Sequence, residues 1–160
     1  MKINLALNQK WWGYLASRFI SLVDGVPFSH CAIEYETQIF ESEWPQGQIV
    51  EKPKWLEKYE VVKSFDLPIK SDLQSIEMAK WLNSEYKRPY SITQLFAIFI
   101  GTFSVKLRRR MFGSKINGSG SLICTEFVGE FLQKFYSYDF KKPNDFIDLK
   151  DILIALESLT

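Results

Sequence analysis

The stretch SHCAIEYETQIFESEW, residues 29–44, constrains the fold more than any other part of the chain. Apolar and polar side chains alternate on both sides of Glu36 and Thr37, the period of two that belongs to strands. A two-residue turn at Glu36-Thr37 pairs Tyr35 with Gln38 and makes an antiparallel hairpin. Alternation then puts His30, Ala32 and Glu34 on one face and Cys31, Ile33 and Tyr35 on the other. Glu43 falls opposite His30 and Glu41 one diagonal step away, both on the histidine's face. A one-residue slip would carry both to the other side, so spacing alone does not choose between registers.

The remaining elements arrange themselves around this hairpin. INLALN alternates as a first strand, and WGYLASRFISLVDG has helical periodicity through Tyr14, Leu15, Phe19 and Leu22, stopping at Gly25 and Pro27. GQIVEKP reads as a strand closed by Pro53, KWLEKYE as a short helical turn, and YEVVKSFDL as a further strand. SDLQSIEMAKWLNSEY is a helix capped by Ser71, with Ile76, Ala79, Lys80 and Asn83 marking successive turns. After Pro89 come an apolar helix, a basic turn, a Gly/Ser loop and a last periodic segment from Cys124. Strands in the first half and helices mainly in the second predict an α+β domain.

With 160 residues, the chain is most simply one domain, 1–160, large enough to bury its own core. Twenty basic and nineteen acidic side chains leave a net charge of +1, so no global field for nucleic acid or membrane follows, and no nucleic-acid partner is expected. Two cysteines and one histidine make neither a disulfide framework nor a zinc cluster, so no metal or cofactor is expected. The N-terminus lacks an uninterrupted apolar region followed by small residues, which predicts a cytoplasmic protein or one exported without a signal peptide. The window 92–105 is the most apolar, too short for a spanning helix of about 20 residues. It reads as a buried helix, and with the basic turn behind it leaves a membrane-surface contact open through Leu95 to Arg110.

Chemistry is concentrated at two residues. From Cys124 the apolar positions Phe127, Val128, Phe131, Leu132 and Phe135 form a helical stripe, with Ser119 or Ser121 as the cap in front. Cys124 then lies in the first turn, where unpaired N–H groups and the helix dipole favour an anion. A free thiol with a pKa of about 8.5 is mostly protonated at neutral pH, and a helix start plus an imidazolium lowers it to roughly 3.5–7.5. Packing beneath the loop is the alternative role for this thiol. The one histidine, His30, is the available base, and its far nitrogen needs an orienting partner, which Glu41 or Glu43 can supply. Cys31, on the opposite face, is expected to be a buried structural thiol pointing away from the site, so that a Cys31–Cys124 disulfide is disfavoured.

FISLVDGVPFSHCAIEY, IFES, RPYSITQLF and LICTEFVGEFL together resemble the circularly permuted branch of the NlpC/P60 papain-like superfamily, the YaeF/YiiX type. In that branch the histidine strand precedes the cysteine helix, and here His30 precedes Cys124 by ninety-four positions, 124 − 30. The resemblance implies a permuted papain-like α+β fold, an antiparallel sheet packed against helices with the catalytic Cys at a helix N-terminus. It also implies a Cys124-His30 site completed by Glu41, with Glu43 in reserve as third residue or substrate contact and Tyr90 beside the substrate. The chain departs from the family in lacking a Gly-Asp pair in its first strand and in carrying a cysteine after the histidine.

Three functions fit these readings. A cysteine peptidase or amidase would cleave a short peptide, cell-wall fragments included. A thiol-dependent acyltransferase or thioesterase would take an acyl substrate, since ICTEFV is also similar to the motif of the lecithin retinol acyltransferase-like relatives. A papain-like scaffold with an unused Cys-His pair would only bind. The oligomeric state is left open.

Overall fold

The hairpin forms in the expected register. Strand β2, His30–Tyr35, pairs antiparallel with β3, Gln38–Glu43, with Tyr35 opposite Gln38 and Ile33 opposite Phe40. Glu36 takes the left-handed backbone conformation (φ 56°) that the tight turn demands. The computed structural model describes residues 1–10, 17–18, 20–22, 24–90, 123–144 and 147–160.

Three more strands extend the hairpin: β1, Lys2–Asn8; β4, Gln46–Glu51; and β5, Tyr59–Asp66. They form one sheet in the order β4-β3-β2-β1-β5, antiparallel at every step. Helix α1, Lys52–Leu56, links β4 to β5. Pro53, expected to close a strand, instead sits in the first turn of α1, where its missing N–H costs nothing. Then follow α2, Asp72–Glu85; α3, Cys124–Tyr136; and α4, Leu149–Leu159. The chain is thus an α+β fold, as expected.

The sheet divides the interior. On one face Ile3, Leu5, Cys31, Ile33, Phe40 and Phe65 pack against α3 and α4. Phe127, Val128, Phe131 and Leu132 are buried there as the stripe predicts, each such side chain contributing roughly 1.5–3 kcal/mol. On the other face a smaller cluster of Ala6, Ala32, Ile39, Trp55 and Tyr59 lies under α1.

Two expectations about helices change. Ser71 does cap α2, its hydroxyl accepting the Gln74 N–H at 3.2 Å. The buried edge of α2, however, is Met78 and Leu82, with Trp81 stacked on Phe127, while Ile76 is 51% exposed. The spacing 78, 81, 82 is the i, i+3, i+4 line that touches the core, and Ile76 lies off it. Residues 17–18, 20–22 and 24 are helical and stop at Gly25, whose φ of 65° a side chain would strain. Leu22 in that stretch is exposed rather than buried. Tyr14, Leu15, Phe19, the apolar window 92–105 and Ser119 and Ser121 lie outside the described residues.

Candidate active site

The first residue of β2 and the first residue of α3 meet at one end of the sheet. α3 packs across β2 and β3, and its N-terminal residue is Cys124. Ile123 occupies the N-cap, so no side-chain acceptor covers the helix start there; instead the buried Glu126 carboxylate accepts the Ile123 N–H at 3.2 Å. The first-turn N–H groups of Cys124 and Thr125 therefore face a position that no capping side chain of Ile123 can fill, which is how a helix start favours an anion.

His30 is buried and held from three sides. Its Nε2 lies 2.6 Å from Glu41 Oε2. Its ring stacks on Tyr59 at 4.7 Å between centroids, and Tyr59 stacks in turn on Trp55 at 4.8 Å. The Trp55 indole N–H donates to Glu41 Oε2 at 2.8 Å, and Gln48 Nε2 donates to Glu41 Oε1 at 2.8 Å. Burial alone would raise the Glu41 carboxyl, yet the hydrogen bond and charge of His30, with the Trp55 and Gln48 donors, lower it. With Nε2 on Glu41, Nδ1 is the nitrogen left for Cys124, which raises the pKa of the ring.

Both sulfur and ring are poised in their charged forms. Burial works against the imidazolium, but the hydrogen bonds and charges of Cys124 and Glu41 outweigh it and push its pKa up to about 10. The Cys124 thiol is held well below its ordinary range, first by a hydrogen bond from Cys31 and then, against the cost of burial, by the hydrogen bond and charge of His30. The backbone N–H of Cys31 adds to this. The Cys31 thiol moves the opposite way, raised by burial and by the neighbouring Cys124 sulfur, so it remains an S–H donor. Asp24, its carboxyl pushed up to about 6 by burial and by Asp148, also feels the charge of Cys124.

Cys31 is where the sequence reading needs correction. It is fully buried in the larger core, as expected, but it does not point away from the site. Alternation does separate His30 from Cys31 across the sheet. Cys124 begins the helix packed on the face that holds Cys31, and both Cys31 and His30 lower its thiol. Register arithmetic within a hairpin carries no information about where a distant helix end will land.

The two glutamates separate cleanly. Glu41 engages His30, whereas Glu43 accepts from Tyr59 Oη at 3.1 Å and from Gln48 Nε2 at 2.7 Å and pairs with Lys58. Tyr90 is anchored by its N–H to the Pro45 carbonyl at 3.0 Å, and the bridge Gln46–Pro89 and the Gly47 N–H to Arg88 carbonyl bond stitch the same segment to the β3–β4 turn. Gly47 permits this approach, because a Cβ there would collide with the Tyr86 carbonyl. Burial raises the Tyr90 phenol, and the charges of Cys124 and Glu43 raise it further. Trp44, on the same turn, is 65% exposed.

No family model, curated protein or solved structure matches this chain. The site therefore stands on its own geometry. Sequence reasoning missed Trp55, Gln48 and Tyr59 as partners of the histidine and its carboxylate. Gln48 was within reach, since it stands directly opposite Glu41 across β3 and β4. Trp55 and Tyr59 come from α1 and the start of β5, and no local pattern links them to residue 30.

Among the described residues no group of three His, Cys, Asp or Glu side chains gathers as metal ligands, and no helix is long and apolar enough to cross a membrane. A cavity of about 560 Å³ is lined by Glu41, Gln48, Trp55, Lys54 and Lys58.

Proposed function

We propose that the protein is a cysteine hydrolase that cleaves an amide bond through Cys124, His30 and Glu41. The observation that carries this reading is that Glu41 holds one nitrogen of the buried His30 at 2.6 Å while Cys124, at a helix start, is lowered toward its thiolate by that ring. It supports the permuted papain-like fold with its nucleophile at a helix N-terminus, and the cytoplasmic setting, whose reducing poise keeps a thiolate usable, belongs to the same proposal.

In this mechanism the Cys124 thiolate attacks the substrate carbonyl, forming an S–C bond as the carbonyl π pair moves to oxygen. The N–H of Cys124 and a neighbouring first-turn N–H receive that oxyanion. His30 gives its Nδ1 proton to the leaving amine as the C–N bond breaks. Water, deprotonated by the now neutral ring, then cleaves the thioester. Glu41 keeps Nε2–H directed away from the sulfur, so that Nδ1 is the nitrogen facing the reaction. Tyr90 and the exposed Trp44, both at the β3–β4 turn, are the side chains proposed to meet a short peptide.

The acyltransferase reading draws on Leu95 to Arg110, including Phe96 and Phe99, which lie outside the described residues. Intact-mass spectrometry with a panel of short peptides and acyl-chain donors tests the proposal. A Cys124 acyl-enzyme from peptides that turns over in water supports it. An adduct from acyl-chain donors alone transfers the site to lipid chemistry, and no adduct with either leaves a binding scaffold.

A further inference from the structure

Two aromatic residues take no bond-making step in the hydrolysis above, yet they close a loop with the histidine. Glu41 Oε2 lies 2.6 Å from His30 Nε2 and accepts the Trp55 indole N–H at 2.8 Å, so one oxygen serves both rings. Trp55 stacks on Tyr59 at 4.8 Å between centroids, and Tyr59 stacks on His30 at 4.7 Å with the two planes 14° apart. His30, Glu41, Trp55 and Tyr59 thus hold one another through hydrogen bonds on one side and ring stacks on the other.

The sheet makes this loop possible. β1 lies between β2 and β5, so the rings of His30 and Tyr59 must reach across it to touch. The residue of β1 opposite His30 is Ala6, and its methyl group leaves that space open. α1 brings Trp55 over the same face, where Trp55 and Tyr59 are buried with Ala6 and Ala32. Water is largely excluded, since no member of the loop is more than 8% exposed.

We propose that Trp55 and Tyr59 are positioning residues that hold His30 as a hydrogen-bonded imidazolium, Trp55 through the edge of the ring and Tyr59 through its face. The inference rests on the Cys124-His30 reading, because both residues act through the histidine. A buried carboxylate keeps its charge only while donors satisfy its oxygens, and the indole N–H supplies one to the oxygen that His30 uses. An aromatic face within about 6 Å of a cation attracts it, and more strongly where water is excluded. The Tyr59 ring therefore offsets part of the burial that works against the imidazolium. The Tyr59 hydroxyl donates to Glu43 at 3.1 Å, which anchors the ring without engaging the histidine. The charged groups that act on the imidazole are Glu41 from β3 and Cys124 from α3, while Glu43, paired with Lys58, meets Tyr59.

His30 is the one histidine in the chain, so a proton–nitrogen correlation spectrum of the imidazole reads its charge and tautomer directly. That spectrum needs no substrate, so a failed peptide panel and a failed positioning role are separate results. In the unsubstituted protein the ring should lose its extra proton near pH 10, and a second change, where Glu41 takes a proton, should begin below the usual carboxylate range. Trp55→Phe keeps a ring on Tyr59 and deletes the donor, so the acid transition should move up by about one to two pH units. Tyr59→Leu deletes the face, and the alkaline transition should fall by about 0.5–1.5 pH units. Tyr59→Phe keeps the face and should titrate as the unsubstituted protein does. A lower unfolding midpoint with both transitions unmoved is what a purely structural role gives, and it overturns the proposal, as does a Tyr59→Phe that titrates like Tyr59→Leu. Should Trp55→Phe or Tyr59→Leu not fold, the Trp55 indole N–H of the unsubstituted protein decides. It should shift in step with the His30 ring through the acid transition, and an indole signal indifferent to that step overturns the proposal.

Discussion

On one face of the sheet Leu5, Ile33 and Phe40 lie under α3 and α4, fixed by carbon packed against carbon. On the other, one residue along in each strand, Asn4, Glu34 and Glu41 are just as thoroughly buried but are fixed by directed bonds: Asn4 Nδ2 to Glu34 at 2.8 Å, Lys52 to Glu34 at 2.7 Å, and the donors on Glu41. Packing tolerates small shifts in angle, whereas a buried carboxylate keeps its charge only if its donors stay in place. The candidate site draws on both. α3 is carried by the apolar face and delivers Cys124; the polar face orients His30. The difference teaches that damage to one face should be read in stability and damage to the other in chemistry.

The largest effect is expected from Phe131→Ala. Phe131 is fully buried, its ring tilted against those of Trp81, Phe135 and Tyr136, and its loss should destabilise the fold by about 3–5 kcal/mol in urea unfolding. The pH dependence of Cys124 alkylation in the molecules that remain folded should be unchanged. A shifted profile would mean that the core also sets the electrostatics of the site, and the comparison between faces would fail.

His30→Ala attacks the other face. Without the imidazolium, Cys124 keeps the Cys31 donor and the helix start but loses its ring hydrogen bond and the positive charge. Its iodoacetamide rate at pH 7 should fall about thirtyfold, from a nearly full thiolate population to the few per cent of an ordinary thiol, an upper limit if Cys31 holds part of the shift. Peptide mapping assigns the rate to Cys124, and Cys31 should remain the slower thiol in both proteins. An unaltered rate would show that the two residues are not paired.

The ion pair should also shape stability against pH. The raised pKa of His30 contributes stability that is fully present below the ordinary imidazole value of about 6.5 and is lost as pH rises through about 10. The lowered pKa of Cys124 contributes stability present above the ordinary thiol value of about 8.5 and lost as pH falls through its depressed folded value. Between about 6.5 and 8.5 the folded pair and the unfolded chain each hold one proton, so the stability difference between the protein and Cys124→Ala should be flat there. It should decline by up to about tenfold in the folding equilibrium per pH unit on either side. Asp24, titrating near 6, is present in both proteins and falls out of the difference except for its coupling to Cys124. A monotonic slope across that window would mean that the folded pair does not hold a single proton there, and the opposite shifts of His30 and Cys124 would fail.

How much of this could be read from the sequence follows the same division. The hairpin, its register and the stripe of α3 are repeats of two and 3.6 residues, and the chain displays them directly in Ile33, Phe40, Phe127 and Phe131. The nearness of Glu41 to His30 also follows once the turn at Glu36-Thr37 is known. What the sequence hides is every contact made by approach from outside the pattern: Tyr59 stacking on the ring, Trp55 donating to Glu41, and Met78 rather than Ile76 meeting the core. Those depend on how whole elements dock, and no local period encodes docking.

The smallest effect distinguishes the two carboxylates that the sequence left as rivals. Glu41→Gln removes the negative charge facing His30 while keeping the size of the side chain, so the imidazolium should become easier to deprotonate and the neutral-pH alkylation of Cys124 should drop by about tenfold. Glu43→Gln changes a residue that meets Lys58, Tyr59 and Gln48 and leaves the 2.6 Å contact between His30 and Glu41 in place. The partly exposed pair with Lys58 is worth at most about 1 kcal/mol of stability, and the alkylation rate should move by less than about twofold. If Glu43→Gln instead slowed Cys124 as much as Glu41→Gln does, the polar face would be acting as one charge reservoir, and the specific bond from Glu41 would not be what orients the ring.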